Sequence, residues 1–285
     1  MRFSFIVPLY KGQKYVDGLV KNIEANAKML MASHAASRVE LIFVNDLPND
    51  VIDYPRSDLL DIRLLEHPVN MGIHQARVTG LGEAMGDYIT FLDQDDDLRE
   101  NFLISQFEAI GDADIVVCNA YIEDGYDRGH KLYEDDKAFS KVKDIATYIY
   151  SHNQIVSPGQ CLIKREAIPD EWSDDILDKN GSDDLLLWIL MAFKGAEIVI
   201  NDELLYTHRF SGANLSLDAD KMADSSLSFA ETLEDKPYIP ASIVKGFVRS
   251  RRFDLARRGQ GAGKAWAYIK YFDIVFRRIL WKIIY

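Results

Sequence analysis

The chain has 285 residues, 48% of them hydrophobic and 27% charged, with a formal net charge of −12. These values suit a globular protein with a substantial core and exclude collagen-like, coiled-coil and disordered classes. Charge is unevenly spread. Residues 245–285 hold eleven Lys/Arg against two acids, a surplus of +9, so the preceding 244 residues carry −21; the acidic body excludes nonspecific nucleic-acid binding, while the basic end suits an anionic partner.

Residues 3–7 (FSFIV) form a nearly continuous apolar run, which predicts a strand buried on both faces rather than a signal peptide. Tyr15, Leu19, Val20, Ile23, Ala27 and Leu30 then recur at helical spacing. A second buried strand covers 40–44, closed by the turn formers of 45–50, and a third covers 62–65. The loop Asn70-Met71-Gly72 opens a helix over about 73–85, ended by Gly86. Residues 88–92 (YITFL) predict a fourth strand, followed at once by Asp93, Asp95, Asp96 and Asp97, and 115–118 predict a fifth. Such alternation implies right-handed crossovers and an α/β sheet, mostly parallel and flanked by helices. Residues 119–155 read as an irregular, partly antiparallel insertion. A buried helix follows over 185–194, started near Ser182 and stopped by Gly195, and strand returns at 197–200. The two prolines of 235–241 divide the chain into a body, 1–235, and a basic, aromatic helical extension, 236–285. In that extension Tyr268, Ile269, Phe272, Phe276, Ile279, Leu280 and Ile283 share a helical face about 120° wide, with Lys270, Arg277, Arg278 and Lys282 off it. Two readings stay open: a helix lying in an anionic membrane interface, or one packing on the body or a partner. No apolar window is long enough for a conventional span.

Two cysteines, Cys118 and Cys161, are too few for a disulfide framework and fit a reducing compartment. Neither has a second cysteine nearby, and the histidines lack ligand spacing, so zinc is not expected. In open α/β sheets ligands bind at the carboxyl ends of strands, which here carry Pro8 and Tyr10, Asn45 and Asp46, and Asp93 and Asp95. Neither a dinucleotide glycine fingerprint nor a P-loop is present. Four acids within five residues instead select a hard cation, Mg²⁺ or Mn²⁺. An EF-hand alignment fails, because it needs Gly and Glu where Leu98 and Ile104 stand.

The order of these segments carries a family resemblance. FSFIVPLYKGQKYV is similar to the opening strand and turn of family 2 glycosyltransferases, and FVNDLPND to the segment after their second strand. NMGIHQARVTGLGEAMGDYITFLDQDD closely resembles their N-x-G-x-x-x-A-R…D-x-D-D stretch. The resemblance runs over about 1–215 and implies a GT-A fold, with a Rossmann-like, mostly parallel central sheet. By the same resemblance, about 1–118 is the nucleotide-binding half and 119–235 the acceptor half. It implies that Pro8, Tyr10, Asn45 and Asp46 contact the nucleotide and Arg77 supports that site. Asp93 would lie at the donor ribose and metal, and Asp95 on the metal. Gly181-Ser182-Asp183-Asp184 is similar to the family's acidic pair at a helix start, with Asp184 as the general base and Asp183 beside it. His208 falls in an aromatic and basic stretch, as a third metal ligand or a diphosphate contact. Asn45, Lys11 and Leu47-Pro48 depart from the family's Asp, Asn and Gly-Ser. The implied activity is metal-dependent, inverting transfer of a sugar, from a UDP-sugar in particular, to a glycan or lipid-linked acceptor hydroxyl. That would place the chain in surface polysaccharide or glycolipid synthesis, in the cytoplasm or peripherally on the inner face of the cytoplasmic membrane. The alternatives are a nucleotidyltransferase of similar fold and a noncatalytic nucleotide-sugar-binding homologue.

Overall fold

The computed structural model describes residues 1–123, 129–178, 180–209 and 219–284. Four parallel strands form half of one sheet: β1 (Arg2–Leu9), β2 (Arg38–Asn45), β3 (Leu60–Glu66) and β4 (Tyr88–Phe91). Beyond β4 the order continues through the antiparallel β8 (Cys161–Lys164), then β6 (Ile115–Glu123) and β9 (Ile198–His208), which pair parallel. The two-residue β5 (Asp97–Leu98) closes that edge, and β7 (Gly129–Lys131) pairs with β6.

Successive side chains in a strand point to opposite faces, and β1 and β2 are apolar on both. Phe3, Phe5, Val7 and Leu9 of β1, with Val39, Leu41 and Phe43 of β2, face one core. It is filled by α1 (Gln13–Ser33) and α3 (Phe102–Ile110), and the buried residues of α1 include the helical stripe Leu19, Val20, Ile23, Ala27 and Leu30. Ile6, Ile42 and Val44 face the other core, with Ala76 and Leu81 of α2 (Gly72–Glu83), Trp172 of α6 (Asp170–Asp174) and Leu185–Met191 of α7 (Asp183–Phe193). Cys118 and Cys161 are buried on β6 and β8.

Two elements differ from the sequence expectation, and the expected irregular, partly antiparallel segment is resolved into short elements. β8 enters between β4 and β6, so the sheet is mixed at its centre. The expected short strand at 197–200 continues to His208, accommodated by a register shift opposite Cys118–Ala120. The 119–155 segment begins as an extension of β6, turns antiparallel through β7, and ends in the short helices α4 (Asp136–Ser140) and α5 (Ile145–Tyr150).

The chain ends in α8 (Ala219–Thr232), α9 (Ala241–Ala256), α10 (Gly261–Lys270) and α11 (Phe272–Ile284). Val244, Phe247 and Val248 of α9 belong to the core shared with α5 and α7, while Phe253, Ala267, Tyr271 and Ile274 make a small core among the last three helices. Arg278 turns inward and clamps Asp254 with both terminal nitrogens, at 2.7 and 2.9 Å. The predicted apolar stripe therefore points the other way: Tyr268, Ile269, Phe272, Phe276, Ile279, Leu280 and Ile283 are all exposed. No helix among the described residues is long and apolar enough to cross a membrane.

Candidate active site

A cleft of about 1750 Å³ runs along the carboxyl ends of β1, β2 and β4, past the start of α7, to α9 and α11. Nine of the ten site residues expected from sequence line it: Pro8, Tyr10, Asp46, Arg77, Asp93, Asp95, Asp183, Asp184 and His208. Asn45 does not. Its side chain is buried and holds the following turn, donating to the Asp50 carbonyl at 3.0 Å and accepting from the Leu47 N–H at 3.1 Å.

Asp46, directly after β2, points at the start of α2. Its carboxylate accepts from the N–H groups of Met71 and Gly72 at 2.7 and 2.8 Å, and pairs with His67 at 2.8 Å. The otherwise unsatisfied donors of a helix start, with its positive dipole end, attract such an anion. Gly72 itself has φ +86°, and a Cβ there would meet Asn180 Oδ1 at 2.8 Å, so the tight entry to α2 requires glycine.

Arg77 is the centre of the site. It is almost fully buried on α2 and donates from Nη2 to Asp93 and from Nη1 to Asp183, both at 2.5 Å. Burial alone would lower its pKa; the attraction of Asp183, Asp93 and Asp184 outweighs that and raises it, so it is permanently charged. Asp93 accepts a further bond from Ser157 Oγ at 2.9 Å. Gln94 ties the loops together, accepting from Tyr10 N–H at 3.0 Å and donating to Tyr10 C=O at 3.1 Å. A Cβ on Gly12 would stand 2.6 Å from that Gln94 oxygen. Asp95, half-buried in the cleft, makes no hydrogen bond or ion pair among the described residues, and Tyr10 is exposed beside it.

The two acids of α7 have different environments. Asp183 is buried against Arg77, and its carbonyl accepts from Trp172 Nε1 at 2.8 Å. Asp184 accepts from Asn153 Nδ2 at 2.7 Å and from the Leu185 N–H at 2.7 Å. Its carboxyl is pushed up to about 7 by burial first and by the neighbouring Asp183 second, against the pull of Arg77. A proton acceptor with a pKa near neutrality is what general-base work needs.

His208, near the end of β9, faces Asp96 at 3.2 Å. Burial would lower the imidazole pKa, but Asp96 raises it. Asp96 also accepts from Tyr206 OH and from the Arg209 N–H at 2.9 Å. One ring nitrogen of His208 is therefore committed to a carboxylate. No group of three or more His, Cys, Asp or Glu among the described residues forms a preassembled metal cage. The donors present suit a different arrangement, in which a hard cation takes one or two carboxylates and completes its shell with substrate phosphates and water.

Sequence reasoning missed Gln94, Asn153 and Ser157. Gln94 occupies the variable position of D-x-D, and the other two lie in the 119–155 segment and just beyond it, where no periodicity or motif marks them.

The family model of glycosyl transferase family 2 matches residues 4–172, from β1 to α6. The glycosyltransferase GlyG of Streptococcus pneumoniae is 25% identical over 236 residues, covering 76% of this chain and 74% of that protein. The uncharacterized glycosyltransferase EpsJ of Bacillus subtilis is 30% identical over 125 residues, covering 41% of this chain and 33% of its own length. Among solved structures, S. aureus TarS 1–349 in complex with UDP-GlcNAc superposes with a TM-score of 0.61 at 16% identity, covering 96% of this chain and 81% of that one. The mannosyltransferase PcManGT of Pyrobaculum calidifontis, in complex with GDP-Man and Mn²⁺, gives 0.54 at 15% identity, covering 96% and 80%.

Proposed function

Because the chain belongs to glycosyl transferase family 2, with the GT-A fold and the transferase activity of that family, we propose that it moves a sugar from a nucleoside diphosphate donor to an acceptor hydroxyl with inversion. The observation that carries this reading is the division of labour around Arg77. One acid, Asp93, is braced at the strand end, Asp95 stands free beside it, and Asp184 is poised near neutral pKa across the cleft. Tyr10 and Asp46 border the donor end, with UDP the favoured nucleotide. Asp95, with Asp93, is where a divalent cation would sit, and His208 borders that end. When bound, the cation neutralises charge on the leaving diphosphate. Arg77 holds Asp93 and Asp183 in register and is not itself consumed. Asp184 Oδ2 takes the acceptor proton as the hydroxyl attacks the anomeric carbon from the face opposite the diphosphate, so an α-linked donor gives a β-product.

Residues 1–235 are read as the catalytic unit, with 236–285 completing the far wall of the cleft. The exposed apolar stripe of α10 and α11, flanked by Lys264, Lys270 and Arg277, supports peripheral attachment to an anionic membrane and a glycan or lipid-linked acceptor. The test is a nucleotide-sugar screen by thermal shift in Mn²⁺ and in EDTA. A ligand at about 100 times its Kd adds about 2.7 kcal/mol. Transfer product and free nucleoside diphosphate should follow from the donor that shifts the midpoint. Release of pyrophosphate, or tight donor binding without turnover, defeats the reading.

A further inference from the structure

The cleft is divided by charge. Among the described residues, its strand-end half is lined by five carboxylates, Asp46, Asp93, Asp95, Asp183 and Asp184, against three cations, Lys11, Lys14 and Arg77. Among the described residues, the half built by residue 141 and residues 251–282 is lined by six cations and one carboxylate, Asp254. That carboxylate is already shared. Arg278 clamps it through two nitrogens, Arg257 donates Nε to it at 3.0 Å, and Arg251 approaches to 3.9 Å. Arg251 is almost fully buried; its Nη2 donates to the Ser151 carbonyl at 2.5 Å, but its Nε has no hydrogen-bond partner among the described residues. Lys141 stands over the Trp281 ring at 5.1 Å. Trp281 Nε1 donates to Asp144 at 3.3 Å, a carboxylate that also caps α5 by accepting from Ala146 N–H.

The field of these cations reaches the neighbouring groups. Burial, opposed by Asp254 and reinforced by Arg278 and Arg257, pushes the Arg251 guanidinium down to about 10. Desolvation in the cleft, followed by Arg251, Lys141 and Arg278, likewise lowers His152. A buried guanidinium with an idle N–H, in a pocket with more positive than negative charge, lacks an anion. Guanidinium and ammonium groups together match phosphate oxygens.

We infer that the basic half of this cleft is a subsite for a phosphate or diphosphate group carried by the acceptor. The inference rests on the transferase reading in assigning that anion to the acceptor. The donor's own diphosphate belongs with Asp93 and Asp95 at the opposite half. The adjoining surface suits a lipid source of the phosphate, since Ile279 both lines the cleft and belongs to the exposed apolar stripe.

The experiment measures the Kd of geranyl phosphate, glucose 1-phosphate and geraniol. It uses the full chain with Mn²⁺ and whichever of UDP or GDP gives the larger thermal shift. Both phosphates should bind and geraniol should not, with affinity falling as salt is raised. The double variant Lys141→Gln/Lys282→Gln should weaken both phosphates about tenfold or more, since each charge-assisted bond is a large contribution, and should leave the nucleotide Kd within about twofold. Tighter geranyl phosphate identifies a lipid-borne phosphate; equal affinities identify phosphate alone. Three results overturn the inference: nucleotide binding with neither phosphate probe bound, geraniol binding as tightly as its phosphate, or a variant that loses nucleotide rather than phosphate. If no nucleotide binds at all, the donor reading fails by itself, and the phosphate probes still decide the subsite.

Discussion

Asp184→Asn separates a general base from an acid that merely favours a helix start. The substitution keeps size and leaves one oxygen to accept the Leu185 N–H, now at 2.7 Å. Without a basic oxygen, turnover should fall about 10²–10⁴-fold, while donor affinity persists. The wild-type pH dependence should agree with this: with a pKa of about 7, kcat/KM should rise with unit slope below neutrality and level off above it, and only about 1% of the base is ionised two units lower. Stability gives an independent sign. The folded-state pKa is raised from 3.8 to about 7, so the ionised carboxyl disfavours the fold. That penalty is absent below about pH 4, grows through the window from 4 to 7, and is complete above it, at up to about 4 kcal/mol. Asp184→Asn should therefore raise the melting temperature at pH 8 and leave it unchanged at pH 4. A helix-start acid predicts the reverse, a loss at pH 8 from the weakened dipole interaction. Turnover within a few fold of wild type at pH 8, or a lowered melting temperature there, would refute the assignment.

Asp95→Ala should abolish metal-dependent transfer with an unchanged melting temperature, because the side chain makes no hydrogen bond or ion pair among the described residues; equal activity in EDTA and Mn²⁺ contradicts the metal role. Arg77→Met strands Asp93 and Asp183, which it holds at 2.5 Å, and should cost about 3–5 kcal/mol in urea unfolding; a loss below about 1 kcal/mol would mean the pair is not structural. Phe272→Ser/Phe276→Ser/Ile283→Ser alters only exposed side chains and should release the chain from phosphatidylglycerol vesicles in flotation, with unchanged donor binding; undiminished flotation would exclude the stripe as the attachment surface.

The N-terminal half of the sheet was the most legible in sequence, for physical reasons. Strands β1, β2 and β4 bury apolar residues on both faces, so their runs are nearly continuous, and the loops that follow them carry Tyr10, Asp46 and Asp93 to the cleft. Arg77 and the acids of the rim fall in one ordered motif. The second half was harder. β8 has four residues, CLIK, too few for any period to declare itself, and its place between β4 and β6 is set by tertiary pairing. The apolar stripe of the last two helices was correctly identified as a face, but periodicity could not tell which way it points. The inward side instead carries Ala267, Tyr271 and Ile274, buried against Phe253, and Arg278, which clamps Asp254 and donates to the Tyr150 carbonyl. Asn153 and Ser157, which hold Asp184 and Asp93, belong to no motif or period, and only the folded chain brings them to the rim.

The two cysteines have a practical consequence for studying the motions of this molecule. Cys118 and Cys161 are fully buried near one another on β6 and β8, and burial raises both thiols above their ordinary range, so little thiolate exists to react. In the folded chain a maleimide or disulfide reagent finds no native target. A single cysteine engineered on the exposed stripe, for a fluorophore or a spin label, would then be modified without first deleting the native pair. The buried pair becomes a clock instead. Its alkylation waits for the central sheet to part, so the labelling rate, followed by mass spectrometry, reports how often the middle of the protein opens.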